Sequence, residues 1–194
     1  WVFEHYSGLG SIVDLGCWMG STTIPMARAL HRRGLKEKKI WAFDLFRWER
    51  WMDHYVDLKQ LNRAYSAGDS FLLEFVERLG CLESFVKPVE ADLSRFRWSW
   101  GPIELLVVDA MKNWELAKQI ALQFFPAVVH DYGRVVHQDF KFWGCPWIHL
   151  MMARLRKYFV IETDLSASPS TVFRLIGALP PEALEDALCF GNLA

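Results

Sequence analysis

A short apolar run, Ile12-Val13, leads into Asp14-Leu15-Gly16-Cys17-Trp18-Met19-Gly20-Ser21-Thr22-Thr23, and a helix-like run from Thr23 to Leu30 follows at once. Strand, glycine-bearing turn and helix in this order open a nucleotide-binding α/β unit. The acid stands before the first glycine, at the end of the strand. A turn built to hold pyrophosphate wants bare backbone N–H groups and no negative charge at that point. A carboxylate there suits a cationic ligand instead.

The same alternation continues along the chain. Strands are predicted over Ile12 to Leu15, Lys39 to Phe43, Phe85 to Val89, Ile103 to Val108 and Arg134 to His137. Helices are predicted over Thr23 to Arg33, Phe71 to Leu79, Trp114 to Phe125 and Pro146 to Tyr158, with Asp69-Ser70 as a cap for the second. Pro25 and Pro146 fall in first helical turns, where a missing N–H costs little. Phe46 to Gly68 is polar and aromatic without one period. Phe159 to Thr163 and Thr171 to Ile176 are two last strands, and the segment from Asp164 to Ser170 between them is too short for a crossover helix. A short docked helix is expected after Pro180-Pro181. The expected fold is therefore α/β: a Rossmann-like, doubly wound, mostly parallel seven-stranded sheet made of five βα units and a C-terminal antiparallel hairpin.

Bulk properties narrow the partners. A length of 194 residues reads as a single domain, residues 1–194, and 52% hydrophobic residues supply a substantial core. A formal net charge of -1 offers no basic excess for nucleic acid. The apolar runs are strand-sized, so no membrane partner is expected. Cys17, Cys81, Cys145 and Cys189 are scattered, form no zinc spacing and fit a reducing, cytoplasmic setting. The chain starts at Trp1, which reads as trimming of a longer chain and the loss of an N-terminal helix. Ten tryptophans are many for this length. They read either as core and subunit contacts, which makes a homodimer an expectation, or as a stacking platform for an acceptor.

Ligands of open α/β sheets bind outside the carboxyl ends of the strands. Asp14, Asp44, Asp92, Asp109 and Asp139 all stand at or near such ends. One acid alone is a cap or a solvated turn, but carboxylates converging on one edge repel and need cations or hydroxyl donors between them. Asp44 lies 24 residues beyond Gly20, about where an acid bonds ribose hydroxyls. Asp92 reads either as an acceptor for an adenine amino group or as a cap on its own turn. Gly16 and Gly20 let backbone approach a ligand closely. Ser21 and Thr22 read as donors to a ligand carboxylate or as the helix cap.

Asp14-x-Gly16-x-x-x-Gly20-x-Thr22 after the first strand, Asp44 after the second, Ala91-Asp92-Leu93 after the third and the final hairpin together resemble class I S-adenosylmethionine-dependent methyltransferases. The resemblance spans nearly the whole chain. It implies S-adenosylmethionine as cofactor, whose ammonium and sulfonium are the cations an acid before the glycines would suit. Trp18, Leu45, Leu93 and Asp109, beside those acids and glycines, complete the candidate cofactor set. Within the family, the motifs resemble the branch that contains macrocin O-methyltransferase and cephalosporin-hydroxylase-like proteins. In that branch an Asp after strand four and an Asp-Asp pair after strand five hold a magnesium ion that binds the acceptor's hydroxyls. The resemblance thus implies Asp109 and Asp139 as Mg2+ ligands, with Gln138 standing where the first acid of the pair would be.

In His137-Gln138-Asp139-Phe140, His137 reads either as a general base for an alcohol acceptor, since imidazole titrates in that range, or as a core histidine bonded to backbone, and Asp139 is either the base or its orienting group. Lys112 lies on the same edge and would pair with Asp109 or anchor an acidic substrate group. His149, one turn into the next helix, reads as structural. Arg47, Arg50 and Lys141, set among aromatics after strands two and five, are candidate contacts for an anionic acceptor. The expected function is methyl transfer to a hydroxyl of a small sugar or secondary metabolite. The alternative is a methyltransferase-like binding or scaffolding module without turnover.

Overall fold

The computed structural model describes residues 2–164 and 168–189. A short helix, α1 (Val2–His5), precedes the first strand, β1 (Ser11–Leu15), and α2 (Thr23–Arg32) follows it. Then come β2 (Ile40–Asp44), α3 (Leu72–Leu79), β3 (Val86–Glu90), β4 (Ile103–Val108) and α4 (Trp114–Phe124). The chain continues with β5 (Arg134–His137), α5 (Pro146–Arg154), the hairpin strands β6 (Phe159–Asp164) and β7 (Thr171–Leu175), and α6 (Pro181–Leu188). One seven-stranded sheet runs β3-β2-β1-β4-β5-β7-β6. The first five strands are parallel, and β7 runs antiparallel to both β5 and β6. All five parallel strands therefore end on one edge. Part of the expected hairpin connection, residues 165–167, lies outside the described residues.

Strand alternation divides the core into two layers. Ile12, Ile40, Ala42, Leu105 and Val107 pack beneath α2 and α3, against Met26, Ala27, Leu30, Phe75 and Leu79. Val13, Leu15, Phe43, Leu106, Val108 and Val135 pack beneath α4, α5 and α6. The period of two then places Asp14 and Asp44 on the α2 face, in phase with Ile12 and Ala42. It places His137 on the α4 face, in phase with Val135.

Two expectations change. The third βα unit has no helix: residues 91–102 cross from β3 to β4 as an irregular segment. Aromatic rings cover the sheet there instead of a helix. Trp100 lies 4.5 Å from Trp41, Phe96 lies 4.8 Å from Phe43, and Trp98 lies 5.8 Å from Phe124, centroid to centroid. Large rings bury enough apolar area per residue to close a sheet face without helical backbone. Second, the expected cap of α3 is displaced. Phe71 occupies the N-cap position without a side-chain bond, the Ser70 hydroxyl beside it still accepts the Leu72 amide at 3.4 Å, and Asp69 accepts from the Ser66 amide.

The acid inside the otherwise apolar β4 is also explained. Glu104 is buried, and its carboxylate accepts the amides of Ser7, Leu9 and Gly10. It fastens the segment that enters β1.

Candidate functional site

At the carboxyl edge the turn after β1 is held tightly to its neighbours. The Gly16 and Cys17 amides donate to the Phe43 carbonyl at 2.9 and 3.1 Å, and the Asp109 amide donates to the Leu15 carbonyl at 2.9 Å. Gly16 has φ +82°, and a Cβ there would lie 3.1 Å from the Asp109 carbonyl. Only glycine joins that conformation to that closeness.

Asp14 is fully buried. Its Oδ2 accepts from the Thr22 hydroxyl at 2.8 Å and the Thr23 hydroxyl at 2.6 Å. Its Oδ1 is buried without a hydrogen-bond partner among the described residues. Burial pushes its pKa up to about 6, against the two threonine hydroxyls, with Asp109 and Asp44 adding repulsion. Thr22 is indeed the N-cap residue of α2, but its hydroxyl makes no capping bond and serves Asp14 instead. Ser21 is exposed at the same helix start.

Asp44 is answered by backbone. Its Oδ2 accepts from the Trp18 amide at 2.9 Å and its Oδ1 from the Phe46 amide at 3.0 Å. Both donors are non-glycine residues at positive φ, +43° for Trp18 and +49° for Phe46. Such backbone costs about 1–3 kcal/mol each and persists where the surroundings impose it. Burial raises the Asp44 carboxyl above its usual range, although the Phe46 and Trp18 amides oppose the shift. Leu45, beside it, is 51% exposed, an apolar surface at the mouth. The Trp18 indole N–H is buried without a partner, and its ring lies 5.7 Å from that of Trp51.

The β4 and β5 ends are built differently. Lys112 Nζ donates to Asp109 Oδ1 and to Asp139 Oδ2, both at 2.5 Å. Burial raises the Asp109 carboxyl and Lys112 opposes that, while Asp139 and Asp44 add repulsion. Asp14, Asp44, Asp109 and Asp139 thus form one electrostatic group. Asp92 stands outside it. Its carboxylate accepts from the Ser94 amide at 2.9 Å and hydroxyl at 2.6 Å, the turn-capping reading. It remains exposed, on a cleft of about 510 Å³ that it shares with Asn113 and Leu116.

Several expected roles need correction. His137 is 0% exposed, between the rings of Phe125 and Phe173 at 6.1 and 5.8 Å. Neither ring nitrogen has a hydrogen-bond partner among the described residues, and burial lowers its pKa to about 3. It does not reach the edge, so it is no base for a bound acceptor. Strand alternation, legible in principle from Val135, turned it inward. Leu93 is buried in the core instead of lining the edge. Arg47 pairs with Glu90 at 3.0 Å, and Lys141 pairs with Asp164, so both charges are answered within the chain. Trp48 is a core residue stacked on Tyr65 at 4.9 Å. Trp51 and Trp143 are exposed.

The residues do not fit the expected magnesium ion. Among the described residues no three His, Cys, Asp or Glu side chains stand together as a metal cluster. An ammonium already lies between Asp109 and Asp139. No helix is long and apolar enough to cross a membrane among the described residues. The four cysteines are free thiols.

No protein-family model and no curated protein sequence matches the chain. Solved structures do. The O-methyltransferase NovP superposes with a TM-score of 0.64 at 15% identity, over 87% of this chain and 72% of that one. CalS11, a TDP-rhamnose 3'-O-methyltransferase of calicheamicin biosynthesis, gives 0.59 at 15% identity, over 88% and 73%. An rRNA methylase from Streptococcus thermophilus gives 0.53 at 12% identity, over 91% and 92%. With the strand order, these likenesses establish the class I S-adenosylmethionine-dependent methyltransferase fold.

Proposed function

We propose that the chain transfers a methyl group from S-adenosylmethionine to a hydroxyl of a small sugar or secondary metabolite. The observation that carries this reading is Asp14 Oδ1, a buried carboxylate oxygen with no hydrogen-bond partner among the described residues, on the strand that leads into the glycine turn. A buried unpaired acceptor is costly, and a cationic ligand group relieves the cost. S-adenosylmethionine brings an ammonium for that acid and an electrophilic methyl on its sulfonium. The first-turn amides of α2, with Ser21, suit its carboxylate. Asp44 suits the ribose hydroxyls, and exposed Leu45 an apolar base face.

On the other half of the edge, Asp139 is the proton acceptor in this reading. Bound S-adenosylmethionine would supply the electrophilic methyl, and the Asp139 carboxylate would take the proton of the acceptor hydroxyl as that oxygen is methylated. Lys112 holds that carboxylate in place. NovP and CalS11, both O-methyltransferases, support a hydroxyl acceptor. The charge balance of -1 favours a small molecule over a polyanion such as rRNA.

Lys112 closing over both carboxylates favours a second reading, a module that binds the cofactor without turnover. Calorimetric titration with S-adenosylmethionine, and separately with NAD, tests the proposal. Micromolar binding of the former alone, lost in Asp14→Asn, is the expected result. Binding without methyl transfer to any hydroxylated acceptor or RNA would favour the module, and no binding would remove both readings.

A further inference from the structure

Asp109 and Asp139 come from neighbouring strand ends and bring two negative charges to one place. Two carboxylates so arranged need a cation between them. The chain supplies one from three residues downstream of Asp109. The root of Lys112 is fixed: its amide donates to the Ala110 carbonyl at 2.9 Å. The next residue, Asn113, caps α4 by accepting the Leu116 amide at 2.8 Å. Turn and cap together aim the lysine back over the edge. An ammonium has three N–H donors. Two go to Asp109 and Asp139, and the side chain stays 55% exposed, which leaves the third donor for a ligand oxygen.

We infer that Lys112 is a tethered cation in the place of a divalent metal, so that this site holds its acceptor without magnesium; the inference rests on the methyl-transfer reading. The surroundings agree. The neighbouring position holds Gln138, whose amide adds no negative charge to attract a second cation. A divalent ion entering between the carboxylates would meet the ammonium at contact distance and would have to displace it.

Mn2+, followed by its paramagnetic resonance signal, is the probe. The full chain is titrated as wild type, Lys112→Arg, Lys112→Met and Lys112→Met with Gln138→Asp. Wild type and Lys112→Arg should leave the Mn2+ signal unchanged into the millimolar range. Lys112→Met should unmask the carboxylates, and adding Gln138→Asp should tighten Mn2+ by about tenfold more, as a third hard oxygen ligand does. Wild-type Mn2+ binding that disappears in Asp109→Asn or Asp139→Asn would overturn the inference, and that arm needs no lysine variant to fold. So would a folded Lys112→Met, Gln138→Asp protein that binds no more Mn2+ than wild type. Titrating S-adenosylmethionine into the same wild-type sample separates the two ideas. Absent cofactor binding with the expected Mn2+ results removes the methyl-transfer reading and leaves the lysine bridge standing.

Discussion

The two halves of the carboxyl edge neutralise their acids by opposite means. At β1 and β2, Asp14 and Asp44 are held by neutral dipoles: two threonine hydroxyls and two backbone amides. At β4 and β5, Asp109 and Asp139 are held by a full positive charge on Lys112. Dipoles lower the cost of a buried carboxylate without cancelling its charge, so the first half still attracts a cation. One ammonium offsets one of the two charges and fills the space between them, so the second half has less attraction left for another cation. The proposed methyl-transfer reading accordingly assigns a cationic cofactor to the first half and a neutral hydroxyl acceptor to the second.

The largest expected effect tests the first half. Removing one partner of a buried charged pair costs about 2–5 kcal/mol. Asp14→Asn should accordingly weaken S-adenosylmethionine by about a hundredfold in calorimetry. Unchanged affinity would show that the unpaired oxygen does not face the cofactor. Wild-type affinity should also fall as pH drops through about 6, where Asp14 takes up its proton.

The same residue sets a stability trend in the free protein. Its folded pKa of about 6 lies above the ordinary carboxylate value of 3.8, so the folded state binds the extra proton between them. Stability from this group is greatest below the lower value and declines as pH rises to about 6, by about 3 kcal/mol in all. Asp14→Asn should therefore melt above the wild type at pH 7.5, and the gap should close near pH 4. Equal melting curves at both pH values would mean that the carboxylate is better solvated than its burial implies.

His137 gives the reverse trend on the second half. Its pKa is lowered from 6.5 to about 3, so its contribution is full above the upper value and is lost as pH falls toward the lower. Over pH 4 to 6 the two groups oppose each other, and Asp14→Asn exposes the histidine's loss alone. His137→Leu removes two unpaired buried nitrogens and should stabilise the protein at pH 7 by about 1–2 kcal/mol, with cofactor affinity unchanged. Denaturant melts read this directly, and a destabilised variant would point to a partner for the ring. The smallest effect belongs to Lys112→Met. The lysine is more than half exposed, so loss of its two ion pairs should change stability by no more than about 1 kcal/mol. A larger loss would mean that the bridge is structural as well as chemical.

Much of this architecture is readable from local pattern. Apolar runs that end in acids, glycines after the first acid, and a last hairpin too short for a helix each act over a few residues. Backbone sterics and the hydrophobic period are local, so sequence carries them. The strand ends bearing Asp14, Asp44, Asp109 and Asp139 were legible for that reason. The segment at residues 91–102 was not legible as a substitute for a helix. Phe96, Trp98 and Trp100 show no helical period, and their partners Trp41, Phe43 and Phe124 are distant in sequence.

By itself, then, the sequence determined the element order, the glycine turn and the row of acids along one edge. Tertiary structure alone decided what answers each acid. Asp14 and Asp44 lie in phase with buried residues beneath α2, where hydroxyls and amides of the described residues answer them. Lys112 swings back from the turn before α4 to meet an acid from β5 as well as one from β4. His137, chemically the better base, is sealed away because an even step along β5 keeps it with Val135 in the core. Charge pairing and burial depend on distance in space, and distance in space is settled only when the strands have closed into one sheet.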